Sequence, residues 1–221
     1  MNHIVVDLEM NHIRRNSEAR KICSMETIEI GAVMLDDDLQ EITTFRTYVK
    51  PEHSDGITRK ITRLTGITDN MVFNAPKFSS ALRMFTDWSL GNGDDITVYA
   101  WSRTDYGQIS KKMCLKEYEP SEKEAPVLRK EWSDFQHEFE NHLGFNQNIS
   151  LKAALDMAGI DFTGSEHDAL DDARNTAELL KVFHNKELFS KTLQKIKEIL
   201  TPKKSMSTMG DLIDFSKFAC A

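Results

Sequence analysis

Two carboxylates at the end of a buried strand constrain a fold more than any other feature of this chain. The run His3-Ile4-Val5-Val6-Asp7-Leu8-Glu9 is apolar and β-branched until its last residues, the composition of a buried strand. Side chains at i and i+2 of a strand share a face, so Asp7 and Glu9 project together. Like charges side by side on such a strand repel each other and are costly to bury unpaired. Either the strand emerges into solvent at that end, or a divalent cation lies between the two groups.

Two later segments carry acids of the same kind. Asp105 follows the strand-like Val98-Tyr99-Ala100-Trp101 and opens a helical stretch. An Asp at that place also serves as an N-cap, a job that Thr104 is equally able to do. The third segment is His167-Asp168-Ala169-Leu170-Asp171-Asp172-Ala173-Arg174-Asn175. On one helix, His167 and Asp172 would stand about 140° apart. They converge only if His167 lies in the loop before the helix and Asp172 points inward from its first turns. Gly164-Ser165-Glu166 supports a loop there. Clustered acids at a helix N-terminus also fit macrodipole stabilisation, but that does not account for the histidine. Asp7, Glu9, Asp105 and Asp172 together are enough for a two-metal site, and His167 beside them can act as a general base. That set is the apparatus of phosphodiester hydrolysis.

The hydrophobic pattern predicts how the segments are joined. Residues 3–9, 26–35 and 41–49 read as three strands, the second and third separated by the turn Asp36-Asp37-Asp38 and the last stopped by Pro51. Short connections make them an antiparallel meander. Residues 10–25 are polar and basic and read as a loop. Beyond residue 56 the spacing becomes helical, at 57–64 and at 77–90 with Phe78, Leu82, Phe85 and Trp88. A strand follows at 95–101 and a helix at 104–117. A short strand spans 131–134 and a helix 135–143. Ser150 caps another helix, and two more cover 168–183 and 187–200. A meander followed by alternating helices and strands predicts an α/β domain with one mixed five-stranded sheet flanked by helices. One folded unit is expected over 1–200, with a C-terminal tail at 201–221 that can dock on a protein partner or fray. Residues 119–130, with two prolines and several charges, are expected to form a mobile loop.

Charge bears on the partner. The formal net charge is −7, so the chain lacks the basic footprint of a protein that holds nucleic acid through phosphate contacts alone. Bound divalent cations would supply the local positive charge instead. Cys23, Cys114 and Cys220 show no CxxC spacing and read as free thiols of a reducing compartment. No apolar run approaches a signal sequence or a membrane span, so a cytoplasmic location with no membrane partner is the expectation.

Taken in order, these segments resemble the DEDDh group of DnaQ-like 3′–5′ exonucleases. Val6-Asp7-Leu8-Glu9 resembles the first motif of that family, Trp101-Ser102-Arg103-Thr104-Asp105 the second, and His167 to Asp172 the third. Two further blocks match, Ile28-Glu29-Ile30-Gly31-Ala32-Val33 and Ile61-Thr62-Arg63-Leu64-Thr65-Gly66-Ile67-Thr68. The chain is most similar to the Eri-type exoribonucleases and the bacterial sporulation-inhibitor (KapD-like) homologues. Around Asp105 it lacks the form common in polymerase proofreading subunits, which favours the ribonuclease-like branch.

The resemblance implies a ribonuclease H-like fold and hydrolysis of single-stranded RNA or DNA from the 3′ end. It assigns Asp7, Glu9, Asp105 and Asp172 to two Mg²⁺ ions, or Mn²⁺, and makes His167 the general base. It leaves Asp171 as a solvated or capping neighbour. It also implies that Met10 and Asn11 line the nucleoside pocket through backbone groups, and that Leu64 packs on the base unless it is a core leucine. Trp101 stacks on a base or belongs to the core. The basic loop 12–21 is a solvated surface or a phosphate path. Glu29 has a strand-face position but no assigned role. Competing expectations are a regulatory homologue that keeps the fold and binds a protein, and a proofreading or repair deoxyribonuclease.

Overall fold

The computed structural model describes residues 1–144 and 148–200, apart from the side chains of 195 and 197–200. Five strands form one mixed sheet in the order β3-β2-β1-β4-β5. Strand β1 (Asn2–His12) runs antiparallel to β2 (Met25–Leu35), and β2 antiparallel to β3 (Glu41–Tyr48). The expected meander is therefore present. Its second turn is built by Asp36, whose Oδ1 accepts the backbone N–H groups of Asp38 and Gln40 at 2.9 and 2.8 Å. Strand β4 (Ile96–Ala100) then pairs parallel to β1, and the short β5 (Ser133–Asp134) pairs parallel to β4.

Ten helices surround the sheet among the described residues: α1 (Ala19–Ile22), α2 (Arg59–Thr65), α3 (Asp69–Phe73), α4 (Phe78–Ser89), α5 (Arg103–Leu115), α6 (Ala125–Leu128), α7 (Phe135–Leu143), α8 (Leu151–Ala158), α9 (Ala169–His184) and α10 (Lys186–Leu200). None of them is long and apolar enough to cross a membrane. The period-two alternation of β1 divides the core. Ile4, Val6 and Leu8 pack with Phe78, Leu82 and Phe85 of α4 on one face. Val5 packs on the other face with Phe135 and Phe139 of α7, Leu155 of α8, and Ala173, Leu179 and Leu180 of α9. Asp7 and Glu9 share the Val5 face, so they project on the side that α9 covers.

Several expectations are corrected. Residues 10–25 are not simply a loop: β1 continues to His12, and α1 adds a turn at Ala19–Ile22. The continuation escapes hydrophobic patterning because its polar residues have tertiary partners, Asn11 above all. Helix α3 carries too few residues to show a period. Residues 119–130 are anchored, since Val127 and Leu128 of α6 are buried and Trp132 Nε1 donates to the Val127 carbonyl at 2.9 Å. Glu124 gathers the segment, its carboxylate accepting from the Ser121 N–H and hydroxyl (both 2.8 Å) and from the Tyr118 hydroxyl. The expected tail at 201–221 lies outside the described residues.

Candidate active site

The pairing of β1 to β4 ends at Val6↔Ala100. Beyond that point β1 continues alone on this side, so the backbone of Leu8 is free to meet another element. Ser102 turns the chain there: it caps α5, its hydroxyl accepting the Thr104 N–H at 3.2 Å. Thr104 and Asp105, the two candidate caps, both lie inside the helix. Asp105 falls in the first turn of α5, buried, and its carboxylate accepts the Leu8 backbone N–H. The end of β4 thus sets Asp105 against Asp7 and Glu9.

On the opposite side of β1, Asp7 pairs with Gly31 of β2. A Cβ at Gly31 would lie 2.2 Å from the carbonyl carbon of Ala169. Only glycine lets the first residue of α9 rest on the sheet there. This close approach explains why the Ile28 to Val33 block matters although it carries no reacting group. A clamp holds the helix start in place. Buried Glu29 accepts from Arg46 Nε at 2.7 Å and from the Ala169 N–H at 3.4 Å. The Arg46 Nη2 reaches Asp168 Oδ2 at 2.6 Å. Asp168 in turn caps α9, its Oδ1 accepting the N–H groups of Leu170 and Asp171 at 3.2 Å each.

His167 immediately precedes this cap, in a turn, with φ of 65°. It lies outside the helix, as convergence with Asp172 requires. Asp172 Oδ2 accepts the His167 backbone N–H at 2.9 Å. Ligand atoms of Glu9, His167 and Asp172 all lie within 4.8 Å of one another. The neighbouring Asp171 points elsewhere: its Oδ2 accepts the Ser165 N–H at 2.9 Å, and a Cβ at Gly164 would meet its carboxylate at 2.2 Å. Asp171 closes the turn, and Asp172 faces the cavity.

Asp7, Glu9, Asp105, His167 and Asp172 line one open cavity of about 660 Å³. Burial and mutual repulsion raise the proton affinity of every carboxylate in this set. Asp7 is pushed well above the usual carboxylate range by burial and then by Asp105 and Asp172. Glu9 is pushed up to about 9 by burial and then by Asp172 and Glu29. Asp105 rises to about 7, burial outweighing the N–H groups that it accepts. Asp172 rises to about 6, burial outweighing its hydrogen bond from His167. Four oxygen donors that need positive charge form a hard-ligand set, the kind that binds Mg²⁺ or Mn²⁺.

The remaining sequence candidates divide. Met10 and Trp101 line the cavity. Trp101 also packs edge-on against Phe135, ring centroids 5.9 Å apart, so it is a core residue with one side in the site. Among the described residues, Asn11 and Leu64 do not line the cavity. Asn11 is fully buried and pins β1 to the segment before α2. Its Nδ2 donates to Ser54 Oγ and the Gly56 carbonyl, both at 3.0 Å, and its Oδ1 accepts the Thr58 N–H at 3.1 Å. Leu64 sits on α2 with 44% of its surface exposed, so it is not a core leucine either. Sequence reasoning missed the Arg46–Asp168 half of the clamp. It also missed Lys152 and Glu166, which line the cavity from α8 and from the turn before His167. No local pattern marks these residues, because each partner is distant along the chain.

Comparison with known proteins adds three findings. A family model described as exonuclease (RNase_T) matches residues 4–180. ERI1 exoribonuclease 2 of Danio rerio is 32% identical over 79% of this chain, and the probable 3′-5′ exonuclease KapD of Bacillus subtilis is 27% identical over 71%. The match spans 33% of the first relative and 72% of the second, so the chain corresponds to about a third of the zebrafish protein. Among solved structures, the nuclease domain of 3′hExo, a DEDDh family member bound to rAMP, superposes with a TM-score of 0.68. It is 23% identical, covering 81% of this chain and 90% of that one, a likeness of fold. The five-stranded mixed sheet flanked by helices is thus the ribonuclease H-like fold of that group.

Proposed function

The chain belongs to this exonuclease family, and from that premise we propose that it is a divalent-metal-dependent 3′–5′ exonuclease acting on single-stranded nucleic acid, RNA by preference. The observation that carries the proposal is the convergence of Asp7, Glu9, Asp105, Asp172 and His167 on one open cavity. Relatives named as exoribonucleases support RNA as the substrate.

Asp7, Glu9, Asp105 and Asp172 would hold two Mg²⁺ or Mn²⁺ ions, since the donor set is all carboxylate and each member carries a raised proton affinity. Such ions, when bound, neutralise the scissile phosphate, stabilise the leaving oxygen and acidify the attacking water. A ring nitrogen of His167 takes the proton of that water. The water oxygen bonds to phosphorus as the bond from phosphorus to the 3′ oxygen breaks. A nucleoside 5′-monophosphate leaves, and the shortened strand keeps a 3′-hydroxyl, its proton drawn from solvent. The turn conformation of His167 lets the imidazole approach from outside the helix while Asp172 faces in. Met10 and Trp101 offer apolar surface to the terminal nucleoside, a contact that tolerates any base.

The test uses 5′-labelled linear RNA and DNA oligonucleotides, with a 3′-hydroxyl or a 3′-phosphate, and internally labelled circles, with Mg²⁺, Mn²⁺ or EDTA. The expected result is a descending ladder from linear strands with a free 3′-hydroxyl, abolished by EDTA. Cutting of the circle, or undiminished turnover after metal stripping, overturns the proposal.

A further inference from the structure

The cavity has to admit a polyanion, yet its described lining carries Asp7, Glu9, Asp105, Asp172 and also Glu166, against a single Lys or Arg side chain, Lys152. Lys152 lies in the first turn of α8, which Ser150 caps. Its Nζ donates to Glu166 Oε1. Both side chains are largely open to solvent. Glu166 belongs to the turn between Gly164 and His167, which have φ of 85° and 65°. Asp171 and Asp172 hold that turn to α9 through the N–H groups of Ser165 and His167. The Lys152–Glu166 pair ties the same turn to α8, across the cavity.

An exposed ion pair contributes little net stability, so this pair is a weak structural tie. A phosphate is a comparable partner for a lysine, and neutralising one releases counterions. The exchange of Glu166 for a phosphate therefore meets little resistance, and it moves the one Lys or Arg side chain of the described lining onto the ligand. Glu166 left without its partner adds a further negative charge beside Asp172, which already feels its field.

We propose that Lys152 is a phosphate-contacting residue of the nucleic-acid path, and that Glu166 is a competing internal anion that weakens binding by holding Lys152 until a strand displaces it. The proposal rests on the exonuclease reading above, because it needs a nucleic-acid strand in this cavity.

The test is binding of a 5′-fluorescein RNA oligonucleotide, followed by anisotropy with Ca²⁺ in place of Mg²⁺ across a series of salt concentrations. Lys152→Gln should weaken binding and lower the slope of log K against log salt by about 0.7, the loss of one contact to a single strand. Lys152→Arg should restore the slope. Glu166→Gln should tighten binding a few-fold with the slope unchanged, and the double variant should keep the lowered slope of Lys152→Gln while binding somewhat tighter than it. Under turnover, Lys152→Gln should act on KM more than on kcat. An unchanged slope in Lys152→Gln overturns the proposal, as does weakening by Glu166→Gln equal to that by Lys152→Gln, which would mark the pair as structural. Wild-type protein that binds with these slopes but hydrolyses nothing would sink the exonuclease reading alone. Wild-type protein that binds no strand would overturn both.

Discussion

The acid cluster should make the metal-free protein lose stability as pH rises, with Asp7 and Glu9 both contributing to the loss. Glu9 is buried, and its pKa is pushed from 4.5 up to about 9 in the folded state. Between those values the folded chain holds a proton that the unfolded chain has released. Stability from such a group is complete below the unfolded pKa and drains away as pH rises toward the folded one. One extra proton corresponds to about 1.4 kcal/mol per pH unit, so over a rise from about pH 7 to about pH 8.5 Glu9 by itself costs at most about 2 kcal/mol, and Asp7 adds to it. Water in the open cavity screens part of the field, which brings the expected loss nearer about 1 kcal/mol. For a domain of this size each kcal/mol moves the melting temperature by roughly 2–4 °C. Calorimetry in EDTA across that window should therefore show a fall of which roughly 2–8 °C belongs to Glu9. The window starts above the unfolded pKa of His3, whose lowered folded pKa, set by burial and then by His184, gives the opposite slope at lower pH. Glu9→Gln should make the curve shallower by that share, and Mg²⁺ should flatten it in the wild type by replacing the protons. A melting temperature in EDTA that stays level, or that falls equally in Glu9→Gln, refutes the reasoning.

Two further outcomes test the third acidic segment and its support. His167→Ala should lower turnover by roughly 10²–10⁴ with metal binding retained. Asp172→Asn should lose both, while Asp171→Asn should cost only about 1 kcal/mol of stability, the worth of its hydrogen bond to Ser165. A dead Asp171→Asn beside an active Asp172→Asn would reverse the assignment. Arg46→Met strands the buried Glu29 carboxylate and uncouples Asp168. It should cost roughly 2–3 kcal/mol in urea titration, below the figure for a wholly buried pair because Arg46 is partly exposed. It should also weaken metal binding measured by calorimetric titration. Unchanged metal affinity in folded Arg46→Met would show that the clamp does not position α9.

What the sequence disclosed about this site follows the range of the interactions involved. Asp7 and Glu9 were legible because strand periodicity is local. His167 and Asp172 were legible because a glycine-bearing turn precedes a helix, and the angle between positions five apart excludes any other convergence. That angle also separates Asp171 from Asp172, adjacent residues that the helix turns by about 100°. Gly31 looked like one residue of an apolar strand, since its meaning lies in the backbone of Ala169. Glu29 offered a face but no partner, because Arg46 comes from the next strand and Asp168 from the far end of the domain. Asn11 was expected near substrate and instead fastens β1 to the Ser54–Thr58 segment, one strand position beyond the cavity-lining Met10. Residues 119–130 carried the composition of a loop, yet a single buried carboxylate, Glu124, organises them.

On the proposed reading, protons and metal ions would compete for the same oxygens in this site. Carboxylates raised to about 9, 7 and 6 at Glu9, Asp105 and Asp172 bind cations more tightly as pH rises, because each ion must displace protons. The rate should therefore climb above neutrality for a reason unrelated to the general base. A histidine losing its proton gives a curve of the same sign over the lower part of that range. At saturating metal the two contributions separate, since excess cation keeps the carboxylates deprotonated and leaves the base to set the profile. A rate that still rises through neutrality at saturating Mg²⁺ in the wild type, and becomes flat there in His167→Ala, assigns the remaining proton to His167. If the rise persists in His167→Ala, the proton belongs to the attacking water, and the turn at His167 positions substrate without taking part in the transfer.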